Sequence, residues 1–225
     1  MVKFSLSSLN IESNKSLLKC ITQMSPRLKV KDLSCRRSNE IIFSDINFEV
    51  ISGENLEIIG SNGSGKTTLL RAVLGLIALN SGEVNWPIPG NEETSKIRHM
   101  AFYQGHKVAI KNLLTAKENL ELFYPKKNLK REEMSNLLAR VGVKDVNRLA
   151  GNLSEGQRKR VALARWFVKK SSFYLIDEPF SAMDNNGIEL VKDFISELNK
   201  EGASFLITGH GESGIRAKQL NLDIT

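Results

Sequence analysis

Eight consecutive residues, Gly60-Ser61-Asn62-Gly63-Ser64-Gly65-Lys66-Thr67, carry the spacing G-x-x-x-x-G-K-[ST], and Thr68 follows them. Glycines here let the chain curl so that successive N–H groups point at phosphate oxygens, and the dipole of a following helix adds to the attraction. Lys66 can then reach the β- and γ-phosphates of a nucleotide, and the Thr67 hydroxyl can hold Mg²⁺. Farther along, the apolar run Phe173-Tyr174-Leu175-Ile176 ends in two acids, Asp177 and Glu178. At the carboxyl edge of a strand Asp177 suits Mg²⁺, directly or through water, and Glu178 is placed to polarise an attacking water. Either acid alone reads as a solvated loop residue. Paired with a phosphate loop, they point to hydrolysis of a nucleoside triphosphate.

A third group lies at Leu153-Ser154-Glu155-Gly156-Gln157, ahead of the helical run Arg158 to Arg165. Ser154 and Gln157 have the spacing of a capping box, so a structural helix start is one reading. Gly156 in a first turn is unfavourable for a helix. It points instead to the close approach of a ligand, because a helix N-terminus presenting Ser and Gly N–H groups attracts anions.

The elements that must position these residues follow from hydrophobic spacing. Asn55 to Ile59 predicts a buried strand running into the phosphate loop, and Thr68 to Leu74 a helix leaving it. Upstream, Leu28 to Leu33, Ile41 to Phe43 and Ile46 to Val50 alternate at short spacing and predict an antiparallel layer. Ser81 to Trp86 reads as a turn and short strand, and Pro87 to Ser95 as a polar loop. Residues from about 113 to 170 read mostly as helices. Leu120, Phe123 and Tyr124 share one side of a segment beginning at Thr115, and Met134, Leu137, Leu138 and Val141 recur at helical spacing. A helix over about Gly187 to Asn199 separates the strand at 173–176 from another at Phe205 to Ile207. The body carries no internal repeat.

Composition narrows the class. The 225 residues suffice for one domain with an inserted lobe, and no apolar run approaches the roughly 20 residues that cross a bilayer. The formal charge is +7, yet residues 1–37 hold eight Lys/Arg against two acids, leaving 24 basic and 23 acidic residues in the rest. A near-neutral body argues against a long nucleic-acid footprint, and the basic N-terminus suits an acidic membrane surface or a targeting segment. Residues 1–26 read as a disordered or targeting extension rather than a secretory signal. Cys20 and Cys35 lack metal-ligand spacing and fit a reduced cytosolic compartment.

From about Leu28 to about Gly211 the order of these motifs resembles that of ATP-binding-cassette (ABC) ATPases. The resemblance implies an α/β P-loop NTPase fold: a mixed RecA-like core with an antiparallel β subdomain, and a helical subdomain at about 107–168, all within 27–225. It implies ATP and Mg²⁺ as cofactors and a homodimer in which Leu153, Ser154, Glu155, Gly156 and Gln157 act on the partner's ATP. Ser181 and Asp184 resemble the D-loop that links two active sites, and His210 the switch histidine that contacts the γ-phosphate. Two positions depart from the family pattern. Arg37 stands where many relatives stack an aromatic ring on adenine, a weaker platform at an exposed site. At the glutamine loop, counting back from Thr115 places His106 at the expected position, a catalytic role that neutral imidazole can serve. Gln104 is the second choice.

The phosphate loop with Thr68 to Arg71, Gly105-His106 with Leu114 to Ala116, Val161 to Trp166 and Leu175 to Gly187 are similar to one branch in particular. That branch is the ATP-binding subunits of cytochrome c maturation (haem exporter) systems. The resemblance implies a peripheral ATPase on the cytoplasmic face of the bacterial inner membrane, or the matrix face in an organelle. Its partners would be the integral membrane subunit CcmB, with CcmC and the haem chaperone CcmE nearby, and not nucleic acid. No histidine or cysteine pattern marks a haem ligand: none of His99, His106 and His210 calls for haem, and C-x-x-C-H is absent. The alternatives are the ATPase of another ABC transporter, a soluble ABC ATPase acting on nucleic acid, and a module that binds ATP without hydrolysing it. Asp177, Glu178 and His210 weigh against the last.

Overall fold

The computed structural model of the chain describes residues 27–38, 40–87, 97, 100–123, 131–168, 170–211 and 213–224. The extension at 1–26, the loop at 88–95, His99 and Tyr124 lie outside them. Strands β1 (Arg27–Arg37) and β2 (Glu40–Ile51) pair antiparallel, with Leu28 opposite Val50 and Cys35 opposite Phe43. Leu28, Val30, Leu33, Phe43, Ile46 and Val50 are buried; the period-2 pattern of the sequence holds over short stretches such as Leu28–Val30, and register shifts between Val30 and Leu33 and between Leu33 and Cys35 break it in between. β4 (Ser81–Asn85) adds to the far side of β1. The expected antiparallel layer is present.

Among the described residues the second sheet is parallel, with strands in the order β5-β6-β7-β3-β8. These are β3 (Asn55–Ile59), β5 (Ala101–Gln104), β6 (Phe173–Ile176), β7 (Ser204–Gly209) and β8 (Lys218–Asn221). Central strands of a parallel sheet are covered on both faces, and all four residues of β6 are buried. Phe173 and Leu175 join the core beneath the antiparallel layer, whereas Tyr174 and Ile176 join the core shared with the helices. Burying a side chain of this size contributes about 1.5–3 kcal/mol. The Tyr174 ring stacks on Phe205 at 4.8 Å, and Trp166 lies 5.5 Å from Phe205. This aromatic cluster ties the sheet to the helical side.

Helix α1 (Lys66–Val73) follows the phosphate loop, and α2 (Ala116–Phe123), α3 (Arg131–Arg140) and α4 (Glu155–Val168) form the helical part. α2 starts at a capping box: Thr115 N–H donates to Glu118 Oε2 at 2.7 Å, and Glu118 N–H to Thr115 Oγ1 at 3.1 Å. Leu120 is buried as its spacing predicts, while Phe123 stays partly exposed beneath the Arg165 guanidinium. α5 (Asn185–Lys200) lies between β6 and β7 and buries Val191, Phe194, Ile195 and Leu198. Because β3, β5, β6 and β7 all run the same way, the residues after their carboxyl ends share one edge of the sheet, where α/β folds place ligands. Those residues are Gly60, Gly105 with His106, Asp177 with Glu178, and His210.

Candidate functional site

The phosphate loop runs from the end of β3 to the start of α1. Gly65 caps the helix in a left-handed conformation (φ 97°), and a Cβ there would lie 2.6 Å from Ile42 Cγ2 of the antiparallel layer. Only glycine meets both demands. Lys66 is buried, and its ammonium donates to the carbonyls of Gly60 (2.7 Å) and Ser61 (2.9 Å). The Ser64 hydroxyl is buried without a partner. A buried lysine bonded to its own loop carbonyls and an orphaned hydroxyl in the same loop make a donor set that fits a polyphosphate.

Thr67 opens toward the second motif. Its Oγ1 donates to Asp177 Oδ2 at 2.8 Å, while Asp177 Oδ1 accepts from Thr208 Oγ1 at 2.7 Å. Asp177 is buried, and its N–H donates to the Gln104 carbonyl across the β5–β6 pair. A hydroxyl and a carboxylate brought together at one strand edge are the oxygen donors a small hard cation prefers, so Thr67 and Asp177 fit Mg²⁺. Glu178 N–H donates to Thr208 Oγ1 at 2.9 Å, and Glu178 itself takes φ 49°. A non-glycine residue in the left-handed region stores local strain and turns its side chain away from the path a strand would give it. Here the Glu178 carboxylate faces His106, with Oε2 3.3 Å from Nδ1.

The two glutamine-loop candidates have different surroundings. His106 N–H also donates to Asp177 Oδ2 at 3.3 Å, so backbone and ring both meet the acidic pair. The Gln104 side chain turns the other way, accepting from the Trp166 indole N–H at 3.1 Å. It is held by the aromatic cluster, not by the site. His210 follows β7 on the same sheet edge and is exposed. Arg37 is exposed at the end of β1, where it pairs in register with Glu40.

The motif at 153–157 stands apart. Ser154 N–H donates to Gln157 Oε1 (3.0 Å) and Gln157 N–H to Ser154 Oγ (3.1 Å), so the capping box is formed. Gly156 is not in the left-handed region, and a Cβ on it would sit in ordinary contact, 3.6 Å from the Ala182 carbonyl. Nothing within the described chain demands glycine there, which leaves the expectation of a close ligand standing. Among the described residues no hydrogen bond or ion pair joins 153–157 to the phosphate loop; α4 packs instead on α2, α3 and α5.

Its neighbours are the residues at 181–184. Lys159, buried in α4, donates to Ser181 through both the carbonyl and Oγ, and Arg160 Nη2 donates to Asp184 Oδ1 at 2.7 Å. Burial pushes the Lys159 ammonium below its ordinary value, opposed by the charges of Glu155 and Glu178. Asp184 also caps α5, accepting from Gly187 N–H at 2.8 Å; that bond first, and then Arg160, holds its carboxyl below the usual range. No local pattern marks Lys159 in the sequence, because its role depends on a contact 22 residues away. The same holds for Asp223, whose carboxylate accepts from Ser61 at the mouth of the phosphate loop.

A parallel sheet whose carboxyl edge gathers a phosphate loop, an acidic pair and a histidine, with an antiparallel layer and a helical lobe, defines a P-loop ATPase of the ATP-binding-cassette class. The family model described as ABC transporter matches residues 43–181. A curated relative from Mannheimia succiniciproducens, named cytochrome c biogenesis ATP-binding export protein CcmA, is 37% identical over 83% of this chain and 88% of its own. The protein of the same name from Nitrosococcus oceani is 39% identical over 84% of this chain and 88% of its own. Among solved structures, a dimeric ATP-binding cassette in a post-hydrolysis state with ADP and Pi superposes with a TM-score of 0.67 at 27% identity, covering 81% of this chain and 88% of that one. The chain belongs to the ABC transporter family, in the group of CcmA-like ATP-binding proteins. It is an ATP-binding, ATP-hydrolysing subunit of that class.

Proposed function

We propose that this chain is the ATPase of a membrane complex in c-type cytochrome biogenesis, powering haem export or release of a haem-loaded chaperone. The observation that carries this reading is the similarity to CcmA proteins over more than four fifths of the chain. Two copies close head to tail, so that nucleotide held by one phosphate loop meets Ser154 and Gly156 of the other. Residues 60–68 cradle the phosphates by backbone N–H groups, with Lys66 leaving its loop carbonyls for the β- and γ-phosphates. Thr67 and Asp177 hold Mg²⁺, which neutralises charge on the phosphates when bound. Glu178, kept off its own strand by its left-handed backbone, polarises the attacking water. His106 and His210 orient that water and the γ-phosphate. Arg37 is the platform beside the base.

Closure completes both sites and moves the surface that a membrane subunit would grip. Supporting such a surface, Leu113 is 89% exposed and Leu149 45% exposed, on segments bonded to each other through Leu114 and Ala150. A separate cleft of about 760 Å³ is lined by residues 101–109 with Arg71, Phe123 and Arg165. Among the described residues no helix is long and apolar enough to cross a membrane, which suits a peripheral subunit. The membrane partner is an integral subunit of CcmB type, with CcmC and CcmE as neighbours, and the chain sits on the cytoplasmic or matrix face. Purification of tagged chain from gently solubilised native membranes tests this. Recovery of a CcmB-type subunit is expected; recovery of a different transporter's membrane subunit, or of nucleic acid, contradicts it.

A further inference from the structure

Asp223 stands in the 3₁₀ turn Leu222–Ile224, directly after β8, the strand that pairs with β3. Its two carboxylate oxygens accept from Ser61 N–H at 2.9 and 3.0 Å, and Oδ1 also accepts from Ser61 Oγ at 2.8 Å. Ser61 is the second residue of the phosphate loop, 162 residues earlier. Asp223 lies outside the stretch that the family model matches.

The N–H that Asp223 takes and the Gly60 carbonyl that holds the Lys66 ammonium belong to one peptide unit. No described peptide bond is cis, and in a trans peptide N–H and C=O point in opposite directions. Asp223 and Lys66 therefore grip the same peptide plane from its two ends. A carboxylate on the N–H polarises the unit and makes its carbonyl a better acceptor. The Ser61 carbonyl, on the residue whose hydroxyl Asp223 also holds, provides the second bond to Lys66. Ser61 N–H first, then its hydroxyl, and to a lesser degree the Lys66 charge, hold the Asp223 carboxyl below its usual range. The latch is thus ionised at neutral pH.

We propose that Asp223 is a positioning residue: it latches Lys66 onto the Gly60 and Ser61 carbonyls in the nucleotide-free chain and sets a threshold that ATP must overcome. The proposal rests on the reading of residues 60–67 as the ATP phosphate site. Opening the latch loosens the hold on Lys66 and removes a negative charge near the place the phosphates take. Both effects favour ATP. A role in merely bracing the loop predicts the reverse, a slacker loop that binds ATP less well.

The test has two arms, applied to the full chain and to Asp223→Asn and Asp223→Ala. In the first, nucleotide-free protein meets a limiting amine-acylating reagent, and mass spectrometry follows each lysine. Lys66 is expected to react about three- to tenfold faster in both variants, the order a typical net intramolecular hydrogen bond supplies, with Lys170 unchanged. In the second, equilibrium titration with ATP is expected to show affinity raised by a similar factor. Unchanged Lys66 reactivity in folded Asp223→Asn overturns the latch whatever ATP does. Faster acylation with unchanged or weaker ATP affinity overturns the threshold. Should Asp223→Ala fail to fold, Asp223→Asn, which keeps an acceptor for Ser61 N–H, decides alone. A wild-type chain that binds no ATP counts against the phosphate-site reading, while the acylation arm still judges the latch.

Discussion

Glu178 and His106 face each other across 3.3 Å, and that contact depends on an unfavourable backbone: Glu178 holds φ 49°, at a cost of about 1–3 kcal/mol typical of strained positions. Thr208 helps to retain it, bonding both the Glu178 N–H and the Asp177 carboxylate. Gln104 contributes elsewhere, as acceptor for the buried Trp166 indole. The two candidates therefore separate experimentally. Gln104→Ala is expected to lower folding stability by about 1–3 kcal/mol, the cost of an orphaned buried donor, while ATP turnover per folded molecule persists; His106→Ala loses turnover with little change in stability. Denaturant unfolding and phosphate-release assays on both variants check this, and collapse of turnover in folded Gln104→Ala would reverse the assignment. The acidic pair took its reading from the phosphate loop, which was legible in the sequence because it is a local pattern with fixed spacing. The fate of Gln104 was not, since its partner lies 62 residues away and is fixed only by packing.

Helix α5 shows how one element serves stability and the site together. Asp184 ends the turn after Glu178, caps α5 through Gly187 N–H, and receives Arg160 from α4. Its carboxyl is depressed in the fold, so the charged form adds stability above the unfolded value of about 3.8 and loses it as pH falls through the lower folded value. Asp184→Ala is accordingly expected to lower the melting temperature by a constant amount from pH 7 down to about pH 4, with the gap closing only in stronger acid. A gap already fading between pH 6 and pH 5 would remove the carboxylate from this role. Long amphipathic elements such as α5 were readable from spacing, whereas β8 was not. Two exposed residues, Lys218 and Gln219, and two partly buried ones, Leu220 and Asn221, carry too little alternation to announce a strand, and their place is set by parallel pairing with β3.

At the scale of the whole molecule, each chain keeps its two anion-seeking surfaces apart. The phosphate loop is closed by its own lysine and by Asp223, and the Ser154–Gly156 turn rests on the residues at 181–184 with no internal demand for its glycine. In the proposed head-to-tail pair, a second copy supplies what each lacks. The similar solved cassette is itself a dimer carrying ADP and Pi. The antiparallel layer and helical lobe were foreshadowed by period and motif order, whereas the distance of 153–157 from its own phosphate loop was implied by the family resemblance alone and by no local pattern. That separation is a property of tertiary packing. The most direct test is the mass of the Glu178→Gln chain in saturating Mg-ATP, measured by sedimentation with and without its membrane partner; losing the base slows turnover by about 10²–10⁴-fold and preserves the ATP-bound state. A doubled mass is expected, reverting to that of one chain when Gly156→Asp is added. A single chain throughout, even with the membrane partner present, would contradict the shared site.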